Sequence, residues 1–226
     1  MAWRFRLFQQ HRHRTLILEQ VQGKPLLVLP EVFNPTLFRS SVFFVEQFKA
    51  HIPENALVLD MGTGSGIGAV FAAETARQVV AVDINPEAVR CARLNALLNR
   101  VEQCVDVREG DLFAPVEGQR FDVVLFNPPF YRGTPHDAYD HAWRGLDVVA
   151  RFAAGLRTHL TPNGCALVVL STNSDLAHFL EAFALNALNV EAIAQRHLVS
   201  EIVTVYRLTP EDHTHFTPFP SPSPTV

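Results

Sequence analysis

The chain has 226 residues, 48% of them hydrophobic and 19% charged, which is enough to bury a core and excludes a globally disordered protein. This length fits one large domain and leaves too little room for two full ones. Nineteen Lys and Arg against 23 Asp and Glu give a net charge of −4, so no overall positive field indicates a nucleic-acid partner.

The cysteine and histidine patterns indicate neither a disulfide framework nor a metal site. Three cysteines stand far apart without C-x-x-C spacing. The ten histidines form no metal set, since the close pairs His11/His13 and His213/His215 lack a third ligand nearby. The longest apolar run, Cys165–Leu170, has the length of a strand and is far shorter than a membrane span. The first residues lack the apolar stretch of a secretory signal. We therefore predict a cytoplasmic protein with no membrane contact and no metal.

The N-terminal region is expected to form an extension of about fifty residues. Residues 1–14 contain four arginines and no acidic residue, and they either contact RNA phosphates or form a frayed, solvated end. Two β-prone runs, Thr15–Val21 and Pro25–Leu29, flank a Gln-Gly pair and predict a hairpin. A helix is expected over residues 37–50, before Pro53.

Beyond this extension, short β-prone runs alternate with helical segments. Strands are predicted where the runs are apolar at nearly every position, as in parallel strands covered on both faces: Ala56–Asp60, Gln78–Asp83, Gln103–Val107, Phe121–Phe126 and Cys165–Ser171. Helices are predicted at Ile67–Arg77, from Asn85-Pro86-Glu87 to about Leu98, at Ala138–Leu160 and at Asp175–Leu185. This alternation predicts an α/β fold with a doubly wound sheet and right-handed crossovers.

The C-terminal part is expected to close the sheet with a hairpin. Val190–His197 and Glu201–Leu208 are separated by three residues and should pair antiparallel at one edge. Residues 210–226 hold five of the fifteen prolines and predict an extended tail. The predicted organisation is an extension over residues 1–52, a ligand-binding sheet domain over residues 53–209, and this proline-rich tail.

A glycine cluster directly follows the first strand of the predicted sheet. Four of the eleven glycines fall within seven residues of the run Asp60-Met-Gly-Thr-Gly-Ser-Gly-Ile-Gly68. Glycines here allow a tight turn and let a ligand approach bare backbone. Neither the dinucleotide fingerprint G-x-G-x-x-G nor the phosphate loop G-x-x-x-x-G-K-[ST] fits. Asp83 ends the second strand, where a carboxylate can accept both hydroxyls of a ribose.

With these motifs the chain resembles the class I S-adenosylmethionine-dependent methyltransferases over roughly residues 29–208. The resemblance implies a seven-stranded, mostly parallel sheet of order 3-2-1-4-5-7-6 with strand 7 antiparallel, and an N-terminal hairpin and helix over the cofactor site. It implies S-adenosylmethionine as cofactor and S-adenosylhomocysteine as product. The residues assigned to the cofactor in this way are Asp60, Gly62, Thr63, Gly64, Gly66, Asp83, Ile84, Asp111, Leu112 and Asn127.

The resemblance also implies which part of the cofactor each of these residues contacts. The glycine loop would wrap the methionine and ribose parts of the cofactor. Asp83 would hold the ribose and Ile84 would pack on the adenine. Asp111 and Leu112, after the third strand, would face the adenine amino group.

The tetrapeptide Asn127-Pro128-Pro129-Phe130 follows the fourth strand and predicts the catalytic residues. A Pro-Pro pair cannot continue a central strand, so it lies at the carboxyl edge, where open α/β sheets bind ligands. A planar amino or amide nitrogen is a poor nucleophile because its lone pair is delocalised. The Asn127 side-chain oxygen and the Pro128 main-chain oxygen can accept its two hydrogens and hold it in line for transfer. Phe130 can stack on the planar group.

This tetrapeptide resembles that of two groups, the release-factor-type protein glutamine methyltransferases and the small-domain RNA methyltransferases. Residues 29–33 resemble a segment that both groups place over the cofactor. Phe130, Arg132 and Trp143 are the candidate substrate contacts. We expect transfer to a protein glutamine side chain, with an RNA base (guanine N2 or adenine N6) as the alternative and an inactive cofactor-binding scaffold as the rival. The expected partner is a macromolecular substrate, and the sequence leaves the oligomeric state open, monomer included.

Overall fold

A small hairpin precedes the main sheet. The structure, a computed structural model, describes residues 15–36, 39–128, 148–199 and 201–211. β1 (Ile17–Val21) pairs antiparallel with β2 (Lys24–Val28), as the sequence predicts. The two turn residues both have positive φ, +48° at Gln22 and +82° at Gly23, which is the backbone of the tight two-residue hairpin turn.

The single helix predicted over residues 37–50 is two helices. α1 (Arg39–Glu46) is followed by the one-turn α2 (Phe48–His51). The break is at Gln47, whose N–H bonds to the carbonyl of Phe44, three residues back, so the helical register changes there. Residues 37 and 38 lie outside the described part.

The main sheet has the predicted topology. Its strands are β3 (Leu57–Met61), β4 (Gln78–Asp83), β5 (Val105–Glu109), β6 (Phe121–Phe126), β7 (Leu160–Ser171), β8 (Leu188–His197) and β9 (Ile202–Pro210). They lie in the order β5-β4-β3-β6-β7-β9-β8. Counted within this sheet, that is 3-2-1-4-5-7-6, and the last strand of the chain pairs antiparallel with both of its neighbours. The predicted seven-stranded, doubly wound fold is confirmed.

Helices cover both faces of this sheet and bury it. They are α3 (Ile67–Ala72), α4 (Pro86–Leu98), α5 (Val148–Leu156) and α6 (Leu176–Leu185). The start of α4 is the predicted one, because the Asn85 side chain accepts from the N–H of Glu87 at 3.0 Å and Pro86 occupies the first turn. One core cluster lies between the sheet and α1, α3 and α4, and the other between the sheet and α5 and α6.

Predicted boundaries are wrong at several places. α3 ends at Ala72 and not at Arg77, because residues 73–77 turn back and bond to the segment before β3, with Asn55 N–H on the Thr75 carbonyl and Arg77 N–H on the Ala56 carbonyl. β5 begins at Val105 rather than Gln103, since residues 101–105 form a turn.

Another wrong boundary lies before β7. The helix predicted to reach Leu160 ends at Leu156, and β7 starts at Leu160 although Cys165 was expected to begin it. Leu160 pairs with Phe121 across an irregular register, and Pro162 to Gly164 form the excursion before regular pairing resumes at Cys165. The sequence analysis assigned residues 161–164 to neither the helix nor the strand, and the tertiary pairing makes them part of the strand.

The segments 1–14, 129–147 and 212–226 lie outside the described residues, and with them the predicted tail and the start of the helix predicted from Ala138. Within the described ranges, no helix is both long enough and apolar enough to cross a membrane.

Candidate active site

The candidate active site lies at the carboxyl edge of three neighbouring strands. Met61, the last residue of β3, pairs with Val82 on one side and with Phe126 on the other. The residues that follow these positions therefore emerge side by side: the glycine loop after β3, Asp83 at the end of β4, and Asn127 after β6. The register thus brings together the two motifs that the sequence singled out, 65 residues apart.

The glycine loop has one side open and the other packed against the protein. Gly62 and Gly64 adopt φ of +65° and +56°, and a Cβ on either would come no nearer than 4.0 Å to another atom. A Cβ on Gly66 would lie 2.8 Å from the Ala92 Cα, and one on Gly68 would lie 2.7 Å from the Asp60 carboxylate carbon. The first two glycines are therefore needed for the turn and leave room for a ligand, whereas the last two allow close packing beneath it.

Asp60 faces inward, beneath the loop. It is 6% exposed, and its carboxylate accepts from the Thr63 hydroxyl at 2.5 Å and from the backbone N–H of Ala69. Burial raises the pKa of Asp60 from 3.8 to about 6, against these two hydrogen bonds, and the nearby charge of Asp83 adds to the rise. Through these contacts the side chains of Asp60 and Thr63 hold the glycine loop in its conformation. Any contact of Thr63 with a ligand would therefore use its backbone.

Asp83 connects the second strand to the glycine loop. One of its carboxylate oxygens accepts from the Gly64 N–H at 2.8 Å and the other from the Asn85 N–H at 2.9 Å. Burial raises the pKa of Asp83, and these backbone donors oppose the rise. Each oxygen keeps a further lone pair, so the carboxylate can still accept hydroxyl hydrogens from a bound sugar.

The residues predicted to contact adenine lie at the same carboxyl edge of the sheet. Ile84, directly after Asp83, is 51% exposed although it is a large apolar side chain. Leu112 has a positive φ of +48°, and its neighbour Asp111 pairs with Arg151 at 2.6 Å. The exposed isoleucine offers an apolar surface for the face of a base, and the neighbouring carboxylate offers acceptors for the polar edge of a nucleoside.

Asn127 is the most informative residue of the site. Its side-chain Nδ2 donates to the hydroxyl oxygen of Ser41 at 3.1 Å. Its Oδ1 is buried and has no hydrogen-bond partner in the described part of the chain. A buried carbonyl oxygen without a donor costs about 1–3 kcal/mol, so among the described residues this oxygen is left able to accept an N–H or O–H.

Asn95 has a role at the site that the sequence analysis missed. It is fully buried on α4, and its Nδ2 donates to the Leu27 carbonyl at 2.6 Å and to the Ser65 carbonyl at 2.7 Å, while its Oδ1 accepts from the Leu27 N–H at 2.7 Å. One side chain thus ties the N-terminal hairpin to the glycine loop. The only signal in the sequence was an amide four residues after Cys91 on the apolar face of the helix.

Of the remaining predicted site residues, Pro128 is described and is buried. Pro129, Phe130, Arg132 and Trp143 lie outside the described residues. In the ranges that the structure describes, no group of three or more His, Cys, Asp or Glu is arranged to hold a metal ion.

Comparison with known proteins shows the family of the chain. Residues 26–199 match the family model described as the methyltransferase small domain. The chain belongs to this family. It is an S-adenosylmethionine-dependent methyltransferase, so the enzyme class and the cofactor predicted from the sequence are confirmed.

Two relatives and one solved structure show the extent of the similarity. A Methanocaldococcus jannaschii protein, provisionally named a protein N5-glutamine methyltransferase, is 34% identical over 163 residues, which cover 68% of this chain and 79% of the relative. The release factor glutamine methyltransferase of Koribacter versatilis is 34% identical over 66% of this chain and 59% of its own length. The chain therefore spans less than two thirds of this bacterial relative.

The solved structure is the Thermus thermophilus 16S rRNA N2 G1207 methyltransferase in complex with its cofactor and guanosine. It has a TM-score of 0.65 and 20% identity, over 87% of this chain and 50% of that one. At this identity the likeness concerns the fold, and it agrees with the observed strand order.

The described residues fit S-adenosylmethionine. The open side of the loop at Gly62 and Gly64 leaves room for it, Asp83 offers carboxylate lone pairs for its ribose, and Ile84 offers an apolar surface for its base. The Asn127 oxygen, which has no partner within the described ranges, lies at the neighbouring strand end, where an acceptor of the methyl group would have to be held.

Proposed function

We propose that this methyltransferase methylates the side-chain amide nitrogen of a glutamine in a protein of the translation machinery. The observation that carries the proposal is the Oδ1 of Asn127 next to the glycine loop, which is buried and has no partner in the part of the chain that the structure describes. An amide nitrogen brings two hydrogens and no good lone pair, so it needs acceptors rather than a strong base. The named relatives at 34% identity support glutamine as the acceptor.

When bound, S-adenosylmethionine would supply an electrophilic methyl group on its sulfonium sulfur and would leave as S-adenosylhomocysteine. The residues of this chain hold and polarise the acceptor. Asn127 Oδ1 and the main-chain oxygen of Pro128 accept the two amide hydrogens, which fixes the nitrogen and favours the positive charge that builds on it. The nitrogen then loses one proton to water, so no general base is required.

Cofactor binding is assigned to the same edge of the sheet. Asp83 accepts the ribose hydroxyls while it keeps the Gly64 loop in place, and Ile84 packs on the adenine. We propose that the N-terminal extension, residues 1–52, covers this site and that residues 53–209 form the catalytic domain, with the remainder as a tail. In support, the Asn85 side chain donates to the Glu31 carbonyl at 3.2 Å, so the extension is bonded to the start of α4.

The first experiment identifies the class of substrate. Purified enzyme and cofactor with a labelled methyl group are added to an extract of source cells that lack the gene, and the product is treated with protease or ribonuclease. We expect label that protease releases and ribonuclease does not, and that yields N5-methylglutamine on mass spectrometry. Ribonuclease-sensitive label would establish the RNA alternative. Cofactor binding in calorimetry together with absence of any label would establish the scaffold. Because translation takes place in the cytoplasm, we also propose a cytoplasmic location.

The second experiment tests Asn127 itself. Asn127→Ala is expected to lower the transfer rate by at least about a hundredfold while the Kd for S-adenosylmethionine changes less than about threefold, because the lost oxygen binds the acceptor. Asn189→Ala is the matched control, since Asn189 is exposed at the start of β8, the outermost strand. This strand runs parallel to β7, so it begins at the amino ends of the parallel strands, opposite the site. An equal loss of rate and cofactor affinity in the Asn127 variant would contradict its assignment to the acceptor.

A further inference from the structure

The two ends of the Asn127 side-chain amide are in different environments. Its nitrogen donates to Ser41 Oγ at 3.1 Å, whereas its oxygen is buried without a partner among the described residues. Ser41 lies 86 positions earlier in the chain, on α1 of the N-terminal extension, and is 3% exposed. The contact thus joins the catalytic strand end to a helix outside the proposed catalytic domain.

This contact anchors the Asn127 amide with its oxygen turned away from Ser41. An asparagine amide that rotates by 180° exchanges an acceptor for a two-hydrogen donor at the same position. Only the oxygen can accept a hydrogen of the acceptor nitrogen, and a rotated Asn127 would present N–H to N–H. A serine hydroxyl can donate as well as accept, so Ser41 fixes the position of the side chain, and the orientation that the structure shows is the productive one.

We propose that Ser41 is a positioning residue that keeps the Asn127 oxygen directed at the nitrogen to be methylated. The proposal rests on the function proposed above and adds a residue from the extension to it. Ser41 does not touch the reacting atoms itself. It acts through Asn127, and it makes the extension part of the catalytic machinery and not only a cover.

The helix that carries Ser41 is itself held rigidly, as a positioning role requires. Phe43 and Phe44 of α1 are buried in the core, and Phe44 packs edge-to-face on Phe48 with ring centroids 4.9 Å apart. On the outside, Arg196 of β8 lies over the Phe43 ring at 4.5 Å and pairs with Glu46 at 2.5 Å. The helix is thus fixed both to the core and to the edge of the sheet.

Ser40 provides a matched control on the same helix. Its hydroxyl is also buried, the residue being 4% exposed, but its Oγ has no hydrogen-bond partner in the described ranges. Ser40→Ala therefore removes the same atom from a neighbouring buried position without touching Asn127. Any general effect of deleting a hydroxyl from α1 will be present in both variants.

The test compares the rate of labelled methyl transfer into the gene-deletion extract for the wild type, Ser41→Ala and Ser40→Ala. At saturating S-adenosylmethionine we expect Ser41→Ala to be roughly 10- to 100-fold slower, because a misoriented amide no longer holds the acceptor, and Ser40→Ala to be within about twofold of the wild type. The KM for the cofactor and the thermal midpoint should be the same in the two variants. Equal rates in the two variants, or a loss of cofactor affinity as large as the loss of rate, would overturn the proposal.

A second readout is independent of turnover. In ¹⁵N-labelled protein, the Asn127 side-chain NH₂ protons should exchange with water faster in Ser41→Ala than in Ser40→Ala, and unchanged exchange would overturn the proposal. If Ser41→Ala does not fold, Ser41→Cys replaces it, since a thiol fills a similar volume and is a weak acceptor. A wild type that binds cofactor but labels nothing would refute the proposed function, whereas an active wild type with an unaffected Ser41 variant would refute only the role of Ser41.

Discussion

Gly66→Ala tests how tightly the glycine loop is supported from below. Gly66 has φ of +83°, and a Cβ there would lie 2.8 Å from the Ala92 Cα and 3.0 Å from its Cβ. The obstacle is the backbone of α4, which cannot rotate away as a side-chain tip could. Gly23 is the matched control, because its φ is +82° and a Cβ on it would meet nothing within 4 Å.

The pair separates backbone strain from steric conflict. An L residue at such a φ costs about 1–2 kcal/mol, and both variants carry this cost. Overpacking costs a further ~1–3 kcal/mol, and only Gly66→Ala carries it. We expect a loss of about 1–2 kcal/mol in the free energy of unfolding for Gly23→Ala and about 2–5 kcal/mol for Gly66→Ala.

The assay is equilibrium unfolding in urea, with calorimetric titration of S-adenosylmethionine for each variant that remains folded. Gly66→Ala should also weaken cofactor binding, because α3 and α4 must separate beneath the loop, whereas Gly23→Ala should leave it unchanged. The reasoning is refuted if the two variants lose the same stability within about 0.5 kcal/mol, since the close approach to Ala92 would then carry no energy.

Two further predictions concern buried polar groups. The pKa of Asp60 is raised from 3.8 to about 6. The stability that the protonated Asp60 contributes is therefore fully present below pH 3.8 and is lost as the pH rises to about 6. At 1.36 kcal/mol per pH unit, the loss of stability is about 3 kcal/mol. The stability of the wild type relative to Asp60→Asn should therefore fall by about this amount between pH 4 and pH 7 in denaturant titrations, and a constant difference would contradict the assignment. Asn95→Leu leaves the Leu27 N–H and the Ser65 carbonyl without this partner and leaves only the Cys91 thiol on the Leu27 carbonyl, so we expect a loss of at least ~2 kcal/mol and weaker cofactor binding. The half-buried Asn99 is the control for Asn95, and equal losses in Asn99→Ala would show that the link to the loop is not special.

The order of elements was predictable because it depends on local pattern. Runs that are apolar at every position marked the parallel strands, and Asn85-Pro86-Glu87 marked the start of α4. Two of the misplaced boundaries have the same cause: residues 73–77 and 160–164 also bond to distant segments, which local composition does not register.

The sequence alone determined the motif residues and, through their resemblance to a family, the chemistry. The glycine run, Asp83 and Asn127 were recognised because backbone freedom and carboxylate or amide groups at strand ends leave a signature at fixed local spacing. Such signatures lie within a few residues of each other and need no knowledge of the fold.

Only the tertiary structure decided how these residues are held. Asp60 proved to face inward, Asn95 to bind the hairpin to the loop, and Ser41 to bond Asn127 from 86 residues away. A serine in an apolar helix and an amide on a buried helix face look ordinary in sequence, because their partners are set by the packing of α1 and α4 against the sheet. Which atoms of the site remain unpaired, and therefore available to a substrate, depends on that packing.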